Sequence, residues 1–242
     1  MEPMMVKAIL GERVRDADEA FHNHVVVTVK EYIDKTTGMQ TLLQMKALVN
    51  LVRRFRCVPE SEILDEFGYK ALYYRTLSEM VNGRIQMLRG GTLSVENCTI
   101  RKAAQFLDTL RKKSVTLYLA SGTDQEDVER EAEVLGYRHL FGDRIYGAPP
   151  DAIRDVKRMV LERILADIGV ASGEQILTIG DGPVEIRETH KRGGYVIGVA
   201  SDEVRRYGLN PGKRRRLIEA GADLIIPDYS DIDELLQILI AD

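Results

Sequence analysis

Three short segments in the second half of this 242-residue chain carry the residue types that phosphate chemistry requires. Ser121-Gly122-Thr123 follows the apolar run Leu117-Tyr118-Leu119-Ala120 and precedes a helical pattern. Hydroxyls and free backbone N–H groups there meet the positive end of a helix dipole, which favours a phosphate oxygen. The same residues could serve as plain helix caps, the commonest use of a hydroxyl before a helix. Lys157 stands near the start of another helical pattern, shortly after Asp155. The dipole mildly disfavours a cation at that end, so either a ligand holds it there or it is a solvated surface lysine. Asp181 lies just beyond the apolar run Ile176-Leu177-Thr178-Ile179, between Gly180 and Gly182, with Glu185 one helical turn further on. Glycines on both sides allow close backbone approach to a ligand, and two carboxylates so spaced can face one hard cation, for which magnesium is suited. The plain alternative is a helix cap, with Glu185 satisfying the dipole.

Strands and helices in alternation position these residues. From about Ile100 the pattern gives a helix over Ala103–Lys113, a strand over Val115–Ala120 and a helix opened by the capping box Thr123-x-x-Glu126, with Val128, Ala132 and Leu135 on one face. A helix over Val156–Ile168, a strand over Gln175–Ile179 and a helix over Pro183–Arg192 closed by Gly193-Gly194 follow. Strands over Tyr195–Ala200 and Leu224–Pro227 complete the series. Such alternation predicts a doubly wound parallel α/β sheet, and ligands of such sheets bind at the carboxyl ends of the strands, where Ser121 and Asp181 fall. Up to about Arg89 the chain reads as helix after helix, as in Leu42, Met45, Val49 and Val52, with a break at Gly90-Gly91 and a polar stretch through Asn97.

An apolar fraction of 44% suffices for a sizeable core, and the formal net charge of −4 comes from a mixed-sign surface. No nucleic-acid or membrane partner is therefore expected. Cys57 and Cys98 are far apart and form no CxxC pair, which suits a reducing compartment better than a disulfide framework or a zinc site. No apolar run approaches the roughly 20 residues that cross a bilayer, and the N-terminus lacks signal-peptide character, so a cytoplasmic location is expected.

In sequence order the three segments resemble the second, third and fourth motifs of the haloacid dehalogenase (HAD) superfamily of phosphatases: a strand-end Ser or Thr, a lysine at a helix start, and an acidic pair in a GDxxx(D/E) pattern. The resemblance runs from roughly Ile100 to the C-terminus. It implies a HAD-like Rossmannoid core over 99–242 and an all-helical cap over 1–98. It also implies a Mg²⁺-dependent phosphatase of a small phosphorylated metabolite, such as a sugar phosphate, working through an aspartyl-phosphate. In that scheme Ser121, Lys157 and Asp181 are catalytic. Ser121, Gly122 and Lys157 bind the phosphoryl group, Asp181 and Glu185 take the metal, and Thr37 and Gln40, between two cap helices, are candidate substrate contacts.

The family's first motif, an apolar strand ending in DxDxT, has no counterpart here. Asp16-Ala17-Asp18 has the spacing, but the preceding Gly11-Glu12-Arg13-Val14-Arg15 cannot form a buried strand, and the pair reads as a solvated helix face. The expectation is a nucleophile upstream of this chain and an empty central strand position. The alternative is a non-catalytic module that binds a phosphate ligand. His22 and His24, two residues apart, do not share a helix face, and Lys213-Arg214-Arg215-Arg216 reads as a solvated helix start.

Overall fold

The computed structural model describes residues 1–12, 18–36, 41–148, 156–169 and 176–240. Two compact units divide the chain, Met1–Arg84 and Ile85–Asp242.

Described residues of the first unit are helical, with no strand: α1 (Glu2–Leu10), α2 (Glu19–Thr36), α3 (Thr41–Phe55), a 3-10 turn at Glu60–Glu62, and α4 (Glu66–Arg89), whose last turn enters the second unit. Helical spacing in α3 turns Met45, Leu48, Val49 and Val52 inward onto Met5, Ile9, Val25 and Val29. The buried Gln44 ties α3 to α2, its side-chain amide donating to the backbone oxygen and hydroxyl of Thr36 at 3.1 and 3.0 Å. Asp16-Ala17, Thr37 and Gln40 lie outside the described residues.

The second unit alternates as the sequence implies: α5 (Ala103–Lys112), β1 (Leu119–Asp124), α6 (Gln125–Val134), α7 (Arg138–Phe141), β2 (Ile145–Ala148), α8 (Val156–Ile168), β3 (Leu177–Gly180), α9 (Pro183–His190), β4 (Tyr195–Val199), α10 (Pro211–Glu219), β5 (Leu224–Ile226) and α11 (Ile232–Leu239). All strand pairs are parallel, which places the protein in the α/β class. Pairing is divided between two sheets, β1-β2 and β3-β4-β5. Both contribute to one core, in which Leu117 and Ile145 pack with Ile197, Val199 and Ile226. Helix α8 covers β1 and β2 and lies beside α9, which covers β3 and β4. Among the described residues no strand joins β1 to β3, so each keeps one edge free of ladder partners.

Two expectations about β1 need correction. It starts at Leu119 rather than Val115 and runs on through Asp124, so Ser121-Gly122-Thr123 belongs to the strand and does not follow it. The register explains this: Ala120 faces Tyr146 and Asp124 faces Ala148, which leaves three residues opposite the single Gly147 as a bulge. Consequently α6 opens with Asp124 at its N-cap and the Thr123–Glu126 capping box does not form. The partner strand β2 is a further element that the sequence pattern did not reveal.

Candidate functional site

The bulge in β1 presents the Ser121 hydroxyl. Ser121 Oγ accepts from the backbone N–H of Thr123 at 3.1 Å, which leaves its own O–H free to donate to an oxyanion. Gln125 holds the bulge against β2. Its side chain accepts from the Gly147 N–H at 2.6 Å and donates to the Ile145 carbonyl at 2.8 Å. A Cβ on Gly147 would stand 2.5 Å from Cα of Gln125, closer than atoms can pack.

Lys157, in the first turn of α8, links the two sheets. Its Cε lies 4.0 Å from where a Cβ on Gly122 would stand, and its Nζ donates to Oε2 of Glu185 at 2.5 Å. The other carboxylate oxygen of Glu185 accepts from the Gly182 N–H at 2.9 Å, closing the first turn of α9. A Cβ on Gly180 or Gly182 would come within 2.8 or 2.7 Å of the Glu185 side chain. These glycines therefore admit that carboxylate, whereas the sequence suggested that they admit a ligand.

Asp181 and Glu185 do not converge on one point. Glu185 uses both oxygens on Lys157 and Gly182, whereas Asp181 Oδ2 accepts from Nζ of Lys213 at 2.9 Å. Lys213 is the member of this cluster that sequence reasoning missed. Far from being solvated, it is buried at the third position of α10 and also pairs with Glu203 from the loop after β4. Burial pulls its pKa down, but the bonds to Glu203 and Asp181 outweigh that and leave it raised. A lysine in the first turn of a helix is the same signal that singled out Lys157; the charge run Lys213–Arg216 masked it. Tyr229 stands nearby, its phenol pushed up to about 12 by burial and by the negative charge of Asp181.

Two ion-paired groups, Lys157 with Glu185 and Lys213 with Asp181 and Glu203, thus stand at the carboxyl ends of the strands. Among the described residues no three His, Cys, Asp or Glu side chains gather into a metal cage. Asp181 nevertheless suits a hard cation. Its carboxylate is 61% exposed and its second oxygen has no hydrogen-bond partner among the described residues. Each Glu185 oxygen already accepts one bond, so Glu185 would reach such a cation through water or through a remaining lone pair.

Solved structures with TM-scores above 0.5 share this fold. A predicted phosphoglycolate phosphatase from Haemophilus somnus matches at 18% identity over 98% of this chain and 92% of its own, with a TM-score of 0.57. A HAD family hydrolase from Deinococcus radiodurans, solved with bound phosphate and sodium, matches at 18% identity over 99% of this chain and 89% of its own, with a TM-score of 0.53. A haloacid dehalogenase-like protein of unknown function from Agrobacterium tumefaciens matches at 20% identity and a TM-score of 0.49 over 58% of this chain, which spans 60% of that protein's length. No curated protein matches the sequence. Residues 30–188, well over half of the chain, match the family model described as haloacid dehalogenase-like hydrolase, and the chain belongs to that family.

Proposed function

We propose that the protein is a Mg²⁺-dependent phosphatase of a small phosphorylated metabolite, such as a sugar phosphate, and that it works in the cytoplasm. The observation that carries this reading is Lys157. Its side chain runs from the Ser121–Gly122 bulge of β1 to Glu185 beyond β3, across the place where neither sheet supplies a strand. In this reading the free edges of β1 and β3 receive a parallel strand from a segment outside residues 1–242. That strand carries the carboxylate nucleophile. The nucleophile attacks phosphorus, the P–O bond to the leaving alcohol breaks, and water hydrolyses the resulting aspartyl-phosphate.

Ser121 Oγ and the Gly122 N–H donate to the transferring phosphoryl oxygens, and Lys157 neutralises their charge. Asp181 directs one free oxygen toward Mg²⁺, and Glu185 orients Lys157. When bound, Mg²⁺ supplies Lewis-acid stabilisation of the phosphoryl oxygens. The helical unit serves as the substrate-selecting cap, with Thr37 and Gln40 as its candidate contacts.

The test is turnover of a panel of phosphate monoesters by the product of the whole reading frame, including any in-frame codons upstream of Met1. Ser121→Ala and Lys157→Ala should each remove about 2–4 kcal/mol of transition-state stabilisation, by analogy with loss of one oxyanion donor. Both variants should keep the wild-type circular dichroism. Saturable phosphate binding without hydrolysis would instead favour a phosphate-binding module.

A further inference from the structure

A second concave site lies in the same unit, where the segment leading into α5 meets the loop between β4 and α10. The cavity has a volume of about 450 Å³, and Arg101, Lys102, Arg205, Arg206, Tyr207 and Glu96 are among its lining residues. Four cations there face one carboxylate, in a chain whose net charge is −4. The cations are also held in place. The guanidinium of Arg101 lies 3.7 Å from the ring centroid of Tyr207, with that of Arg205 5.8 Å from the same ring. Arg206 donates to the Cys98 carbonyl at 3.0 Å and Lys102 to the Ser230 carbonyl at 2.9 Å. Carbonyl oxygens orient these cations without cancelling their charge. Asp202 meets Arg205 at 3.6 Å, and Arg101 acts on the buried Asp228 carboxylate, whose pKa, against the effect of burial, its charge helps to lower, without a close ion pair among the described residues. Stacking on an aromatic ring leaves the edge of a guanidinium, with its paired N–H donors, open to an anion.

We infer that this cavity binds a small molecule through a doubly charged oxyanion, a phosphate or a polycarboxylate, with Arg101 and Arg205 as its principal contacts. The site is separate from the one proposed above, since Ser121, Lys157, Asp181, Glu185 and Lys213 do not line it.

Isothermal titration at low salt, with pyrophosphate and citrate as the two probes, tests this on the product of the whole reading frame. Saturable binding of either probe is expected, and the tighter one identifies the class of oxyanion. Arg101→Gln with Arg205→Gln should weaken it at least tenfold, whereas Lys157→Ala should leave a saturable binding step in place. Both arginines are exposed, so their replacement should leave the fold intact. Amide shift mapping on the wild-type chain provides a measurement that needs no variant, and residues 101–105 and 205–207 should move together. The inference is overturned if neither probe binds, if binding is lost with Lys157→Ala, or if the shifts fall elsewhere. Loss with Lys157→Ala would place the anion in the phosphatase site and leave that reading standing.

Discussion

At Asp181 one carboxylate oxygen is committed to Lys213 and the other faces water, whereas both oxygens of Glu185 are already bonded. Asp181→Asn is therefore expected to weaken Mg²⁺ binding by the full-length protein at least tenfold, and Glu185→Gln by less. Calorimetric titration checks the order, and equal losses would remove Asp181 from its proposed role. Tyr146 offers a prediction independent of the site. Burial first, and then the hydrogen bond and negative charge of Asp167, push its pKa from 10.0 up to about 12. Its contribution to stability should be complete below pH 10 and lost as the pH rises toward 12, because only the unfolded chain readily ionises in that window. Tyr146→Phe should flatten this alkaline limb in urea unfolding, and Tyr229, also near 12, together with Tyr32, Tyr69, Tyr73 and Tyr137, whose pKa burial also raises, should supply what remains. Lys157, Asp181 and Glu185 could be placed from the sequence because strand ends and helix starts are local patterns, whereas Ser121 fell inside β1. Lys213 could not, because its inward direction depends on how α10 packs.

At the scale of elements, the β1–β2 pair depends on one side chain and one glycine. Gly147→Ala would drive a methyl group into the backbone of Gln125, at a cost of about 1–3 kcal/mol or more. Gln125→Leu would leave the Gly147 N–H and the Ile145 carbonyl without the bonds that Gln125 supplies, at about 1–3 kcal/mol for each group that stays buried. Chemical denaturation measures both, and a neutral Gln125→Leu would show that the clamp contributes nothing. Helices α5, α6, α8 and α9 could be read from local patterns of apolar spacing and caps, whereas the short α7 and the C-terminal α11 were not. The strand β2 could not be so read, since four residues with a central glycine show no useful alternation. The late start and bulge of β1 were hidden for a related reason, because the register depends on a partner distant in sequence.

For the whole molecule, the separation of the sheets makes stability uneven. Strand β4 is paired on both sides, whereas β1 and β3 are each paired on one. Hydrogen exchange should find the amides of β4 better protected than those of β1 and β3, and equal protection would mean that the free edges are closed in solution. Unpaired edges also template association between chains. With the β1 and β3 edges open, the protein is therefore expected to associate with rising concentration, as light scattering would detect. The parallel α/β class was legible in the alternation of elements. The division of the ladder between two sheets emerged only from the pairing itself.

The Gln125 clamp has a chemical consequence as well. Side-chain amides are thermolabile, and slow hydrolysis at Gln125 would replace the donor facing the Ile145 carbonyl with a carboxylate oxygen. Two acceptors would then oppose each other where the sheet had a bond. Ageing at this single position would loosen the strand pair that carries Ser121, and cooling would not restore it.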